Sequence, residues 1–151
     1  MSLPNAGVVT YDAVNNVWMV TTPFANSQTG LTAAVPLTTL YTPNVDGCAL
    51  LSIYAIVTRA ASSSSTLGKF TLSYTDRDTG AVVSVDVLLQ DLSGAWSNVG
   101  AAANVVGTFL SGSFIINAKA GTDVRFQMAY ASSGATKMQY TIRVSAAIVA
   151  G

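Results

Sequence analysis

From Lys137 to Ile148 the chain alternates without a break. Met138, Tyr140, Ile142, Val144, Ala146 and Ile148 form one set, and Lys137, Gln139, Thr141, Arg143 and Ser145 form the other. Only an extended strand puts those two sets on separate faces, because a helix would spread them around its axis. The same period runs through Asp123 to Tyr130, where Val124, Phe126, Met128 and Tyr130 oppose Arg125 and Gln127. It returns in Lys69 to Thr75, with Phe70, Leu72 and Tyr74 on one side, and in Val82 to Leu89, with Val83, Val85, Val87 and Leu89. No segment carries a sustained helical period; Ala101-Ala-Ala-Asn-Val-Val106 offers at most one turn of helix. The expected class is therefore all-β.

Turn chemistry separates these segments. Asp76-Arg-Asp-Thr-Gly80 lies between two of them and predicts a hairpin. Pairing Ser73 with Ser84 places Thr71 opposite Asp86 and Lys69 diagonal to it, a modest exposed contact. Ala131-Ser-Ser-Gly-Ala-Thr136 predicts a second hairpin, joining 124–130 to 138–148. Shorter strands are expected at Thr38–Tyr41 and Ser113–Asn117, and Ser62–Ser65 and residues 91–112 read as loops. Val8 to Val20 reads as a separate hairpin turning at Asn15-Asn16, with residues 21–30 as a linker. Roughly eight strands with turn signals every 8–12 residues indicate an antiparallel β-sandwich or jelly roll preceded by an N-terminal hairpin or arm. The chain divides on this reading into an arm and linker over 1–30 and a jelly-roll domain over 31–151.

Composition narrows the chemistry. The 151 residues suit one core. Charged residues are 9% of the chain, against about 25% in an ordinary domain. Seven basic and seven acidic side chains cancel, so there is no basic field for nucleic acid. Every acid is aspartate, and histidine is absent, which removes Ser-His-Asp, Cys-His and His-ligated metal mechanisms. Cys48 is the lone cysteine, so no intrachain disulfide or CxxC site exists, and its apolar surroundings predict a small buried thiol. The N-terminus has neither a basic n-region nor an apolar h-region, so no signal peptide is expected. No run reaches the ~18–20 apolar residues of a spanning helix, so no membrane partner is expected.

Leu50 to Thr58 differs from the other strands. Leu51, Ile53, Ala55 and Val57 make one face, yet Leu50, Tyr54 and Ile56 on the other are also apolar. A strand apolar on both sides is covered on both sides, within the fold or by another chain. In a domain of this size, another chain gains weight.

Other candidate sites are weaker. Asp76-x-Asp78-x-Gly80 resembles the start of a calcium loop, but position 87, where a bidentate acid belongs, is valine. The same residues are what a tight turn requires. Asp12, Asp46, Asp91 and Asp123 are scattered, and nothing brings two together as glycoside hydrolysis needs. No enzyme, metal or other cofactor is expected. Tyr11, Phe24, Trp18 and Trp96 lie outside the strongest strands, where aromatics either pack beneath loops or contact another protein. Tyr11, Trp18 and Met19 are candidate anchoring residues of the arm, and Trp96 is a candidate stacking surface for a sugar ring.

Two stretches carry a family resemblance. One is Pro36-Leu-Thr-Thr-Leu-Tyr-Thr-Pro43 with Asp46-Gly47 and the strand through Tyr54; the other is Ile116-Asn-Ala-Lys-Ala-Gly-Thr-Asp-Val-Arg-Phe126. Together they resemble the C1q/TNF-like jelly roll, although Cys48-Ala49 stands where that pattern places an aromatic. Leu40-Tyr-Thr-Pro43 and Ser132-Ser-Gly-Ala-Thr-Lys-Met-Gln-Tyr140 give a flavour similar to small virion proteins of tailed bacteriophages, of the capsid decoration or head-fibre type. The resemblance implies a homotrimer around a threefold axis, on the capsid surface of a virion assembled in the host cytoplasm, with the major capsid protein as partner. Leu50, Tyr54 and Ile56 would then lie at the trimer interface. A glycan- or receptor-binding module on the same fold is the alternative, using surface glycans as ligands and the tips 59–66, 91–112 and 131–136.

Overall fold

The computed structural model describes residues 9–12, 17–20, 24–98, 100–102 and 104–150, with 9–12, 17–20, 101–102 and 149–150 described by backbone alone. The strands are β1 (Val9–Asp12), β2 (Val17–Val20), β3 (Phe24–Leu31), β4 (Val35–Tyr41), β5 (Gly47–Arg59), β6 (Ser65–Thr75), β7 (Val82–Asp86), β8 (Leu89–Asp91), β9 (Trp96–Ser97), β10 (Gly100–Ala102), β11 (Phe109–Ala118), β12 (Val124–Ser132) and β13 (Gln139–Ala150). No helix occurs among the described residues. The protein is all-β, as the alternation requires.

Two antiparallel sheets form a sandwich. One runs β3-β13-β5-β11-β8-β9; the other runs β10-β6-β12-β4, with β7 also paired to β6. The long strands thus alternate between sheets in the manner of a jelly roll. Inward residues obey the period-two pattern. Leu51, Ile53, Ala55 and Val57 of β5 and Tyr140, Ile142, Val144 and Ala146 of β13 are all buried. Phe70, Leu72, Phe126 and Met128 meet them from the second sheet, with Phe70 and Phe126 stacked at 5.7 Å. Burial at about 25 cal/mol per Å² of apolar surface is what holds the layers together.

The hairpin over 69–86 has the expected register, with Ser73 opposite Ser84 and Thr71 opposite Asp86. Lys69 Nζ lies 2.8 Å from Asp86 Oδ2. The second expected hairpin does not form. β12 pairs with β6 and β4, whereas β13 pairs with β3 and β5, so consecutive strands belong to opposite sheets. Their inward faces already matched, and two strands with apolar inner sets can meet face to face as readily as edge to edge. The Ser132–Met138 segment is an arch: Met138 N donates to Ser132 Oγ at 2.9 Å, and Tyr130 OH donates to the Met138 carbonyl at 2.7 Å.

Other expectations need correction. Residues 24–30, expected in a linker, belong to β3, which pairs with β13 from Phe24↔Ala146 to Leu31↔Tyr140. Phe24 stacks on Tyr41 at 4.7 Å, which explains an aromatic in an otherwise polar segment. The stretch 91–112 is not a single loop, since it contains β9, β10 and the start of β11. Gly100–Ala102 is a strand against Thr66–Gly68, so no helical turn starts at Ala101. β7 stops at Asp86, and Leu89 moves into the other sheet as part of β8.

β1 and β2 pair with each other, from Val9↔Val20 to Asp12↔Val17. Their turn, including Asn15 and Asn16, lies outside the described residues, as do residues 1–8 and 21–23.

Candidate functional site

The outward face of β5 is as apolar as the sequence indicated. Leu50 and Tyr54 are exposed, and Ile56 is half-buried. Strand register extends this face across the whole six-stranded sheet. Leu50 lies between Ile115 and Ala147, Ser52 between Ser113 and Ser145, Tyr54 between Ser111 and Arg143, and Ile56 between Phe109 and Thr141. The Tyr54 row continues through Gln90 to Trp96 on one side and to Ser27 on the other. Tyr54 and Phe109 stack with centroids 5.7 Å apart. Ile115 is 64% exposed and Trp96 60% exposed.

Arg143 is the one charged side chain among these outward positions. The outward side of the other sheet differs: it carries Lys69, Asp86 and Arg125, with the Lys69–Asp86 ion pair joining β6 to β7. Low charge with exposed Trp, Tyr, Leu and Ile is the composition of an interface core. The apolar spots are Leu50 with Ile115, Tyr54 with Phe109, and Trp96, set apart by the serine row Ser113–Ser52–Ser145 and by Ser111 and Gln90.

The alternation in the sequence marks Leu50, Tyr54 and Ile56 but does not identify Ile115, Phe109 or Trp96 as their neighbours. The spacing Phe109, Ser111, Ser113, Ile115, Asn117 was a usable signal, because it alternates with the buried Leu110 and Ile116. What the sequence lacked was the pairing of β11 with β5. Cys48 lies on this outward face, half-buried, with its Sγ 3.8 Å from Asn117 Oδ1, not in the core as expected. Cys48 shares the parity of Leu50 along β5, which puts it on the outward side.

Tyr11, Trp18 and Met19, the candidate anchors, belong to strands described by backbone alone. Tyr11 pairs with Trp18 and Thr10 with Met19, so Met19 falls in the alternate set from the other two.

Among the described side chains, the carboxylates are committed to local structure. Asp76 Oδ1 accepts from Asp78 N, Thr79 N and Thr79 Oγ1, the arrangement of a capped turn. Those bonds, the Thr79 backbone first, hold its pKa below the ordinary carboxylate value. Asp91 is lowered chiefly by Ser93 Oγ, Asp123 by Thr42 Oγ1 and Asp86 by Lys69. Asp46 Oδ1 accepts from Ala120 N at 2.7 Å. A general acid needs a raised pKa, so each shifted carboxylate is moved in the wrong direction for that role. Among the described residues no three metal-ligating side chains gather.

Three expected tips do converge. Asn104 donates from Nδ2 to the Ser63 carbonyl and accepts at Oδ1 from Ala61 N and Ser65 Oγ. Ser64 and Ser133 share a 2.7 Å hydroxyl contact, and Thr136 N donates to Ser62 Oγ. Ser65, expected in a loop, is buried at the start of β6. These polar groups satisfy one another and tie the sheets at one end.

A hollow of about 260 Å³ beside Pro36, Lys69, Thr71 and Gln127 is smaller and shallower than an ordinary ligand cavity. No described helix is long and apolar enough to cross a membrane. No family model matches the chain, and no curated protein matches it.

Proposed function

We propose that this chain is a structural subunit that assembles as a homotrimer through the outward face of the six-stranded sheet, and that its setting is the capsid surface of a tailed bacteriophage. The observation that carries the assembly is that face: Trp96, Tyr54, Leu50 and Ile115 are all exposed on it, and Arg143 is the one charge in the rows from Leu50 to Ile56. Burying it removes apolar surface from water at about 25 cal/mol per Å² before association costs are subtracted. The C1q/TNF-like flavour of the jelly roll rests on the resemblance of Pro36–Pro43, Asp46-Gly47 and the strand through Tyr54, with Ile116–Phe126, and the phage setting rests on that of Leu40-Tyr-Thr-Pro43 and Ser132–Tyr140. Its role is mechanical, as a capsid decoration or head-fibre protein. Tyr11, Trp18 and Met19 of the arm make the contact with the major capsid protein, and three arms per particle site raise avidity without new contacts per arm. No catalysis is assigned; the turn-bound aspartates support that reading.

Charge placed on the face tests the assembly. Tyr54→Lys with Ile115→Lys should reduce the solution mass to that of one chain while leaving the unfolding transition in place. An unchanged oligomer would assign the interface elsewhere. Removing residues 1–20 should abolish binding to capsids that bind the whole chain; retained binding would discard the anchoring role.

One observation favours a second reading, a glycan-binding module. Trp96 is 60% exposed directly opposite Gln90, an aromatic plane beside an amide with no charge nearby in its row until Arg143. That is a surface on which a neutral sugar stacks and hydrogen-bonds. Binding of surface glycans that survives Trp96→Ala would exclude it.

A further inference from the structure

β3 is the outermost strand of the six-stranded sheet, and among the described residues it pairs with β13 alone. It is eight residues long, Phe-Ala-Asn-Ser-Gln-Thr-Gly-Leu, and has no Lys, Arg, Asp or Pro. Natural sheets blunt such an edge with charge, proline or a cover, because its free N–H and C=O groups recruit another strand. Charge and proline are absent here, and the one interruption of the β3–β13 register, at Thr29-Gly30 with Gly30 at φ +68°, lies at the C-terminal end and leaves Phe24–Gln28 in unbroken register.

A strand pair that meets no third strand among the described residues begins only a few residues away. β1 and β2 form a two-stranded sheet of their own, with four residues in each strand. A hairpin of that size is marginal in water without a further partner. Three residues, Thr21-Thr22-Pro23, separate it from β3. They contain no glycine or asparagine for the positive-φ positions of a tight hairpin, and proline biases the preceding threonine towards extended backbone. The local solution, β2 folding back on its own β3, is not the pairing found. Four Cα steps from Val20 to Phe24 span at most about 14 Å, so the hairpin reaches only a copy in direct contact.

We propose that the β1–β2 hairpin of each copy is exchanged: its β2 edge adds to the β3 edge of a neighbouring copy and extends that copy's six-stranded sheet. This rests on the homo-oligomer reading above. The exchange satisfies two unpaired backbone edges at once, needs no particular side chain, and leaves both faces of the hairpin for contact with the capsid. Short hinges that disfavour the closed form are what drives such swapping.

The test uses full-length chains carrying Cys48→Ser. One chain, isotopically labelled, carries Met19→Cys; the other carries Ser27→Cys at an exposed position of β3. After co-refolding and treatment with a short bismaleimide, mass spectrometry should show the labelled-to-unlabelled adduct severalfold above a control pairing Met19→Cys with the exposed Val82→Cys. No excess over that control overturns the exchange. A double variant Met19→Cys, Ser27→Cys that links within one chain also overturns it, because the hairpin then closes on its own β3. Sedimentation of the same uncrosslinked chains separates the two failures. An oligomer without adducts refutes only the exchange, whereas a monomer refutes the assembly on which it depends.

Discussion

Tyr130 and Tyr140 stack across the interior with ring centroids 5.7 Å apart, although the strands that carry them follow one another in the chain. Their hydroxyls point to different carbonyls: Tyr130 OH donates to Met138 O, and Tyr140 OH donates to Ala33 O at 2.8 Å. The pair therefore closes the β12–β13 arch and links it to the chain just before β4. Tyr140→Phe keeps the ring and leaves the Ala33 carbonyl without that donor, which should cost about 1–2 kcal/mol. Tyr140→Ala also opens a cavity and should cost about 3–5 kcal/mol. Urea titration of the two variants checks both values and their order.

Alkaline pH should unfold the protein for a related reason. Burial pushes the Tyr41 and Tyr140 phenols up to about 12. The unfolded chain releases those protons near 10, so stability is fully present below pH 10 and falls as pH rises towards 12. Phenolate absorbance followed against pH should show a late fraction that titrates together with loss of the fold. A single transition near 10 with the fold intact would contradict the burial argument.

Between pH 5 and 8 stability should be flat. The chain has no histidine, and the shifted aspartates all lie below their ordinary value. Their contribution is present above the ordinary carboxylate range and is lost only as pH falls through their lowered values. Thermal melts at pH 5, 6.5 and 8 at constant ionic strength should agree. A slope in that window would point to a titrating group this account omits.

Gly68 sets how closely β6 and β12 approach. A Cβ built there would lie 2.5 Å from Ala129 Cβ and 2.7 Å from the Ala129 backbone carbonyl. Gly68→Ala should cost about 1–3 kcal/mol through overpacking, with Gly68→Val worse. Gly121→Ala meets no neighbour but imposes a strained backbone at φ +71°, so its cost should be smaller and local. Denaturation midpoints of these variants rank the two effects.

Much of the fold was legible in the residues because one-sided burial forces period two. The inward sets of β5, β12 and β13 could be read directly, and the 69–86 register followed from Asp76-to-Gly80 turn chemistry. Sheet membership was not legible. Tyr130 and Tyr140 are equally compatible with an edge-paired hairpin and with an arch, since both arrangements bury the same side of each strand. β3 was missed because Asn26, Ser27, Gln28 and Thr29 give no hydrophobic alternation; its place comes from backbone pairing with β13 and from Phe24 on Tyr41. The candidate site was half legible for the same reason. Alternation identified Leu50, Tyr54 and Ile56 as outward and apolar, while the neighbours that make a surface of them depend on which strands pair.

Sedimentation equilibrium of the intact chain at micromolar concentration decides whether the outward face of the six-stranded sheet is an interface. A single species of three chains, 46.5 kDa from 3 × 15.5 kDa, is expected. A species of 15.5 kDa that persists as concentration is raised would contradict it, since the face bearing Leu50, Tyr54, Ile115 and Trp96 would then stand open to water.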